Sequence, residues 1–304
     1  MRRRSTLTGL LGQGVGPSLT PELHEREAQR HGLRSVYKVI DLSAEETDPV
    51  QLRDLLAAAV RLGYDGLNVT HPIKQAMVPL VDRLAPEAAR IGALNTVVVT
   101  ESGTVGHNTD FSGFARACRE ELGDASLDGV VLLGAGGAGT AVAHALAGLG
   151  AGQVWVSDPD RDRASRLGES VALLGNDVEV EAVGPADVPR LLAKAAGLVN
   201  ATPIGMADHP GIPVDLDALR PDLWVADIVY RPLETALLLG AAERGCRVLS
   251  GAGMALHQAA DAFELFTGRS ADRDAMRRDF DELVAAERRD RPTPTQGTTG
   301  ERNQ

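Results

Sequence analysis

The strongest constraint on the fold is a run of glycines placed between a short apolar segment and an alanine-rich one. Residues 129–133 have the pattern of a buried strand, Gly134-Ala135-Gly136-Gly137-Ala138-Gly139 follows, and residues 140–149 have the composition of a helix. A strand, a glycine turn and a helix in this order form the context that a dinucleotide-binding loop requires, because backbone N–H groups and the helix N-terminus bind the pyrophosphate. The run therefore predicts a parallel α/β sheet that binds a nucleotide.

A glycine turn alone is weak evidence, since such turns also serve ordinary strand-to-helix corners. Here the next predicted strand, residues 154–157, is followed by Asp158. A carboxylate at that distance accepts hydrogen bonds from the adenosine ribose hydroxyls and repels a 2′-phosphate, so NAD is predicted over NADP. Arg161 and Arg163 complicate this prediction because they could turn towards a phosphate; Arg163 is kept as a candidate cofactor contact.

The alternation of strands and helices along the chain predicts an α/β protein of two domains. Strands are predicted at residues 7–12, 36–42, 66–69, 94–100, 178–183, 198–201, 223–227 and 247–249, and further helices at 21–31, 49–62, 160–174, 252–266 and 271–287. Thr20 is the predicted N-cap of the first helix, with Pro21 at its first helical position. We expect a split substrate-binding α/β domain (residues 1–110 with closing helices 252–287), a Rossmann-type doubly wound nucleotide-binding domain (111–251) and a disordered tail (288–304).

Composition narrows the possible partners of this chain. The 304 residues carry a formal charge of −11, which argues against nucleic acid or an anionic membrane as a partner. Cys118 and Cys246 lie far apart in no metal-binding spacing, and the seven histidines are scattered. No signal-peptide core and no membrane-spanning run is present, so a cytoplasmic protein, monomer or homodimer, with a small-molecule substrate is expected.

One lysine stands out, because the chain has only three lysines against 28 arginines. Lys74 ends the segment Asn68-Val69-Thr70-His71-Pro72-Ile73-Lys74. Arginine keeps its proton in a protein, whereas a lysine can release it. Lys74 is therefore the predicted acid/base, with Asp110 as the carboxylate that orients it. The alternative is a solvated surface ion pair without a function.

Several motifs together resemble those of the shikimate dehydrogenases, and most closely the NAD-dependent quinate/shikimate dehydrogenases. They span about Thr8 to Gly268 in family order: Ser18-Leu19-Thr20-Pro21, Asn68-Val69-Thr70 with Lys74, Gly92-Ala93-Leu94-Asn95-Thr96, Asn108-Thr109-Asp110, Gly134-Ala135-Gly136-Gly137, Asn200-Ala201-Thr202-Pro203-Ile204-Gly205-Met206, Asp227-Ile228-Val229-Tyr230 and Gln258. The resemblance implies that the substrate carboxylate binds Ser18 and Thr20. The implied contacts of the substrate ring are Asn68, Thr70, Asn95, Tyr230 and Gln258. Those of the nicotinamide are Thr202, Met206, Ile228, Gly251 and Met254.

The expected reaction is the reversible NAD-dependent oxidation of the C3 hydroxyl of quinate or shikimate to the 3-dehydro acid. Many family members have serine where this chain has Thr20, and by resemblance threonine goes with the use of quinate. Four alternatives stay open: an NADP-dependent biosynthetic shikimate dehydrogenase, an aminoshikimate dehydrogenase, a folate-linked dehydrogenase, and a non-catalytic sensor of NAD or shikimate. The sequence does not distinguish quinate catabolism from aromatic amino acid biosynthesis.

Overall fold

The first of two six-stranded sheets is built from the N-terminal third of the chain. The computed structural model describes residues 5–175 and 177–290. The strand order of this sheet is β2-β1-β3-β5-β6-β4, and β5 runs antiparallel to both of its neighbours. Its strands are β1 Ser5–Gly12, β2 Arg34–Asp41, β3 Gly66–Val69, β4 Arg83–Leu84, β5 Thr96–Thr100 and β6 Gly103–His107. Its helices are α1 Thr20–Arg30, α2 Pro49–Arg61 and α3 Pro86–Ile91.

The start of α1 differs by one residue from the prediction. Thr20 is not the N-cap; Leu19 takes that position, and Thr20 is already helical. The physical reason is that Ser18 Oγ, two residues upstream, accepts a hydrogen bond from Thr20 N at 3.3 Å and so satisfies an amide that has no partner within the helix. The Thr20 side chain therefore does not cap its own helix.

The second sheet is entirely parallel, with the order β12-β11-β10-β7-β8-β9. Helix α4, Thr109–Ala117, continues through a π-helical turn, Cys118–Leu122, and leads the chain into this sheet. The strands are β7 Val130–Leu133, β8 Gln153–Ser157, β9 Glu179–Val183, β10 Gly197–Asn200, β11 Trp224–Asp227 and β12 Arg247–Ser250. The helices are α5 Gly137–Gly148, α6 Arg161–Ala172, α7 Val188–Leu192 and α8 Ala236–Glu243.

Strand β7 is one of the two central strands of this sheet and marks the point where the strand order reverses. Val130 and Leu132 pack into one hydrophobic cluster, and Val131 and Leu133 into another. Both faces of the strand are therefore covered, as a parallel sheet between two helical layers requires. The predicted Rossmann-type doubly wound fold is confirmed, and the glycine turn follows the strand at its switch point.

Two final helices return the chain to the first sheet. They are α9 Gly251–Thr267 and α10 Arg273–Asp290. Leu256 and Ala260 of α9 and Met276 of α10 share a hydrophobic cluster with Leu23 of α1. Helix α10 extends three residues beyond the predicted end at Glu287, and residues 291–304 of the predicted tail lie outside the described residues.

Helices α4 and α9 cross closely because each carries a glycine at the contact. A Cβ on Gly113 would lie 2.8 Å from Met254 O, and one on Gly253 would lie 3.1 Å from Ala117 Cβ. Any larger residue at either position would separate the helices. The two places where the chain passes between the sheets therefore lie side by side.

Within the described ranges, none of the helices is both long and apolar enough to span a membrane. The same ranges contain no cluster of three or more His, Cys, Asp or Glu side chains suited to a metal ion. Cys118 and Cys246 are free thiols, and both are buried.

Candidate active site

Lys74 and Asp110 form an ion pair at the end of the first sheet that faces the nucleotide half. Lys74 lies on the loop after β3, and Asp110 lies in the first turn of α4. The distance from Lys74 Nζ to Asp110 Oδ2 is 2.6 Å, and the two side chains are only 15% and 7% exposed. The side chain of Asn108 caps α4 by accepting a hydrogen bond from Phe111 N at 3.2 Å, which fixes the turn that carries Asp110. The pair is thus not a solvated surface pair.

The lysine also lies against the predicted nucleotide loop. A Cβ on Gly137 would lie 3.5 Å from Lys74 Cβ and 3.7 Å from its Cδ. The main chain of Lys74 is held from the other side, since its carbonyl accepts a hydrogen bond from Leu94 N at 3.0 Å. The proton-transfer candidate therefore stands between the two halves of the molecule.

Asn68 and Asn95 belong to one buried hydrogen-bond network, which we call the amide network: Tyr37, Asn68, Thr96, Asn95 and Thr109. Tyr37 Oη donates to Asn68 Oδ1 at 2.7 Å, and Asn68 Nδ2 donates to Thr96 Oγ1 at 3.1 Å. Thr96 Oγ1 donates to Asn95 Oδ1 at 3.0 Å, and Thr109 N donates to the same oxygen at 2.8 Å. The structure thus brings two predicted ligands together with a residue adjacent to Asp110.

The predicted carboxylate contacts, Ser18 and Thr20, lie half-buried at the start of α1. A helix N-terminus is a favourable place for an anion, because its first amides have no partner within the helix. Thr70 is also half-buried, and its Cγ2 would lie only 2.4 Å from a Cβ on Gly12. Gly12 therefore leaves the room that the Thr70 side chain occupies.

Tyr230 and Gln258 come from the second half of the chain and approach the same region. Burial raises the pKa of Tyr37 well above its usual value, and the nearby Tyr230 phenol raises it further. The Tyr230 phenol is thus close enough to Tyr37 to act on it electrostatically. Gln258 of α9 faces α4, since a Cβ on Gly113 would lie 3.2 Å from Gln258 Cβ.

The glycine turn after β7 has the shape that a pyrophosphate needs. Gly134 has φ +94°, a conformation that favours glycine. A Cβ on Gly139 would lie 2.0 Å from Gly134 O, so the turn requires glycine at that position too. Gly136 stands at the N-cap of α5, and a Cβ there would meet open space. The start of α5 therefore opens onto free space at Gly136, with Ala135 and Ala138 as the small residues between the glycines.

Asp158 ties the end of β8 to this turn. Its Oδ2 accepts a hydrogen bond from Ala135 N at 2.7 Å, and its Oδ1 accepts one from Asp160 N at 2.9 Å. The residue is 7% exposed. Arg163 Nη1 lies 3.9 Å from Asp158 Oδ1, so the guanidinium faces this carboxylate. The Asp158 carboxylate is thus held beside the glycine turn by two main-chain amides.

A second buried carboxylate, Asp227, organises the loops predicted to line the nicotinamide. Its Oδ1 accepts hydrogen bonds from Asn200 Nδ2 at 2.9 Å and Val229 N at 3.0 Å, and its Oδ2 accepts one from Thr235 Oγ1 at 2.7 Å. Burial raises the pKa of Asp227. We call Asp158 and Asp227 the carboxylate anchors, because each holds a main-chain amide of a loop.

The five predicted nicotinamide contacts lie around these loops at different depths. Thr202 Oγ1 is used inside its loop, where it donates to Asn200 Oδ1 at 2.6 Å. Gly251 is required for the close approach of α9, since a Cβ there would lie 2.5 Å from Ile228 O. Met206 is 39% exposed, whereas Met254 is 7% exposed and packs in the core of the second half.

Three residues of these networks have no role predicted from the sequence: Tyr37, Thr109 and Thr235. Thr235 had a detectable signal, because it precedes the apolar run of α8 and caps it by accepting from Leu238 N. Thr109 lies in the motif Asn108-Thr109-Asp110, in which only Asp110 has a predicted role. Tyr37 had no signal, since its partner Asn68 is 31 residues away.

Comparisons with known proteins agree with this arrangement. The family model of the shikimate dehydrogenase substrate binding domain matches residues 10–97, and that of the shikimate 5′-dehydrogenase C-terminal domain matches residues 251–278. The shikimate dehydrogenase (NADP(+)) of Streptomyces avermitilis is 52% identical over 93% of this chain and 98% of its own length. The quinate/shikimate dehydrogenase (NAD(+)) of Corynebacterium glutamicum strain R is 47% identical over 91% of this chain and 98% of its own length.

A solved structure shows the same fold. The quinate dehydrogenase from Corynebacterium glutamicum in complex with NAD matches with a TM-score of 0.85 and 46% identity, over 92% of this chain and 100% of that chain. These similarities extend over both sheets and both final helices. The chain therefore belongs to the shikimate dehydrogenase family of oxidoreductases.

Proposed function

We propose that this protein reversibly oxidises the C3 hydroxyl of quinate and shikimate with NAD as the cofactor. The observation that carries the proposal is the position of Lys74, which lies 2.6 Å from Asp110 on one side and against Gly137 of the nucleotide turn on the other. An alcohol oxidation needs an acid/base next to a hydride acceptor. The residues that would hold the cofactor are the turn Gly134 to Gly139 and Asp158, and bound NAD would supply the hydride acceptor.

The chain's own residues handle the proton. In the direction of oxidation, Lys74 Nζ accepts the proton of the C3 hydroxyl, and in the reverse direction it returns that proton. Asp110 Oδ2 holds Nζ in place and stabilises its charged form. Because both side chains are largely buried, few waters compete with the substrate for these contacts.

Polar groups of both halves would bind the acid. Ser18 and Thr20 at the start of α1 suit its carboxylate, and Asn68, Thr70 and Asn95 suit its ring hydroxyls. Tyr230 and Gln258 would contact the ring from the nucleotide side. A site built to bond hydroxyls rejects analogues without them, because its buried polar groups would then be unpaired. This property favours a polyhydroxylated ring over the flat pterin of a folate.

The preference for NAD rests on Asp158. A 2′-phosphate at the adenosine ribose would bring its negative charge close to this buried carboxylate. Arg163 faces Asp158 at 3.9 Å, which orients the guanidinium towards the carboxylate. The names of the relatives point to both cofactors, since one relative is named for NADP and another for NAD.

The use of quinate rests on Thr20. Quinate has a tetrahedral C1 with an added hydroxyl, whereas the shikimate ring is flat at C1. Thr20 is half-buried at the start of α1, and with the substrate carboxylate bound there its methyl group would meet that difference at C1. A Thr20→Ser variant provides the matched comparison, with an expected change in the ratio of kcat/KM for quinate to that for shikimate.

The test is a set of initial rates with purified protein, in which NAD and NADP are crossed with quinate, shikimate and aminoshikimate. Turnover of quinate and shikimate with NAD supports the proposal. Turnover of shikimate alone with NADP would instead indicate a biosynthetic shikimate dehydrogenase. Preferred turnover of aminoshikimate would indicate an aminoshikimate dehydrogenase. Ligand binding without any turnover would indicate a sensor.

A further inference from the structure

Thr96 occupies the centre of the amide network and is fully buried, with 0% exposure. Its Oγ1 accepts a hydrogen bond from Asn68 Nδ2 at 3.1 Å and donates one to Asn95 Oδ1 at 3.0 Å. A hydroxyl has a single hydrogen, so it can donate only once. Thr96 thus couples the two side-chain amides: it presents an acceptor to one and a donor to the other.

Main-chain groups beside each amide agree with the direction that Thr96 gives it. Asn68 Nδ2 lies 3.4 Å from Asn95 O, and a carbonyl can only accept. Asn95 Oδ1 lies 2.8 Å from Thr109 N, and a main-chain N–H can only donate. At the far end, Tyr37 Oη donates to Asn68 Oδ1 at 2.7 Å. Every contact in the series is consistent with a single direction of donation.

The two asparagines consequently offer a substrate opposite groups. Asn68 uses both amide hydrogens inside the protein, towards Thr96 Oγ1 and Asn95 O, so only a lone pair of Oδ1 is left. Asn95 Oδ1 accepts from Thr109 N and Thr96 Oγ1, and one hydrogen of Asn95 Nδ2 goes to Thr109 Oγ1 at 3.0 Å. What remains at Asn95 is one N–H. Asn68 can therefore only accept, and Asn95 can only donate.

We propose that Thr96 is a positioning residue that keeps Asn68 as an acceptor and Asn95 as a donor. It thereby determines which ring hydroxyl of the substrate donates a hydrogen bond and which accepts one. The inference rests on the proposed function, because it assigns a direction to hydrogen bonds with the proposed substrates. Neighbouring hydroxyls on a ring can each donate or accept, so a pocket with a fixed sense binds them in one arrangement. Without the Thr96 hydroxyl, each amide loses the contact that ties its orientation to the other.

The experiment compares Thr96→Val, which keeps the shape and removes the hydroxyl, with Thr96→Ser, which keeps the hydroxyl. For Thr96→Val, the KM and the calorimetric Kd of quinate and shikimate are expected to rise roughly tenfold, the effect of about one lost hydrogen bond that leaves its partners unpaired. The KM of NAD is expected to stay within about twofold, since the network lies on the substrate side. Thr96→Ser should restore acid binding to within about threefold of the wild type.

Tyr37→Phe provides a second variant that removes only the hydroxyl at the other end of the network. It is expected to weaken acid binding in the same direction, and it replaces Thr96→Val as the test if that variant does not fold. The inference is overturned if Thr96→Val binds both acids like the wild type, or if Thr96→Ser is impaired as much as Thr96→Val. If only Tyr37→Phe folds, unchanged acid binding in that variant overturns it.

The same measurements separate this inference from the proposed function. Wild-type protein that binds the acids without turnover would overturn the proposed function, while the order of Kd values among the variants would still decide the role of Thr96. Normal wild-type turnover with an unaffected Thr96→Val variant would overturn the role of Thr96 alone. Wild-type protein that neither binds nor oxidises the acids would overturn both.

Discussion

On the substrate side of the site, the groups that fix the geometry are neutral amides and hydroxyls that bond to one another. On the nucleotide side, the same task falls to buried carboxylates: Asp158 accepts from Ala135 N and Asp227 from Val229 N. A neutral amide can be turned either way, so it needs a partner at both ends to hold its direction. A carboxylate only accepts, so one residue is enough to hold a loop amide.

The difference follows from what each side has to recognise. Hydroxyls of a ring are distinguished by the direction of hydrogen bonds, and uncharged groups supply that direction without attracting ions. The loops on the nucleotide side have to keep a fixed main-chain shape, and charge-assisted hydrogen bonds do this strongly. The stability that the amide network contributes should thus be insensitive to pH, whereas the contribution of Asp227 should depend on pH.

The largest effect is expected at Lys74, which lies between the two halves of the molecule. Lys74→Met is expected to lower kcat about a thousandfold, because the proton-transfer group is lost. Lys74→Arg keeps the positive charge but cannot release a proton, so it should be nearly as inactive. Single-turnover rates, together with NAD binding measured by calorimetry, check this. Substantial activity of Lys74→Arg would show that charge alone is enough and that Lys74 is not the acid/base.

A smaller effect is expected at the first carboxylate anchor. Asp158→Asn keeps an oxygen that can accept from the turn and removes the charge. The ratio of kcat/KM for NAD to that for NADP should fall about tenfold or more, since like charges no longer meet at the 2′-position. Asp160→Asn is the matched control, because it removes the same charge from an exposed neighbour. Equal shifts in the two variants would contradict the assignment to Asp158.

Thr235 tests how much the second anchor depends on its partners. Thr235→Val removes the hydrogen bond to Asp227 Oδ2 and the cap of α8. Unfolding by urea should show a loss of about 1–2 kcal/mol in the free energy of unfolding. Thr235→Ser should lose much less. If the serine variant were destabilised more than the valine variant, packing of the methyl group rather than the hydroxyl would be responsible.

The smallest effect is a pH dependence at Asp227. Burial raises the pKa of this carboxyl from its ordinary value of 3.8, so its contribution to stability is greatest below that value and is lost as pH rises towards the folded-state pKa. Asp227→Asn does not titrate there. The free energy of unfolding of Asp227→Asn minus that of the wild type should therefore increase as pH rises above about 3.8, in urea titrations at several pH values. The free energy of unfolding of Thr96→Val minus that of the wild type should not change with pH over the same range. A change with pH would contradict the contrast between the two sides of the site.

The sequence predicted those parts of the site that depend on local order along the chain. The glycine turn, its strand and Asp158 follow one another within a single unit, so the pattern gave both fold and ligand class. Tyr37 was missed because its contact depends on sheet order: β2 and β3 both pair with β1, which brings Tyr37 next to Asn68 across an intervening strand. Sequence spacing does not report such a neighbour.

Other elements were missed for different physical reasons. Strand β4 is only two residues long, and its partner β6 begins at Gly103 with φ +113°, so neither shows a clear alternation. Helix α8 is apolar on nearly all sides, which gives no helical period to detect. The start of α1 shifted by one residue because the Ser18 hydroxyl, rather than Thr20, satisfies the first amide.

The crossing of α4 and α9 has a consequence for protein engineering. Because Gly113 and Gly253 let these helices touch, the chain enters the nucleotide half and leaves it at adjacent points. The nucleotide half is therefore a unit joined to the rest of the chain at two neighbouring points. A cofactor module from a relative with the opposite nucleotide preference could be exchanged at these two helices, provided that both glycines are kept, while Lys74, Asp110 and the amide network stay on the recipient scaffold.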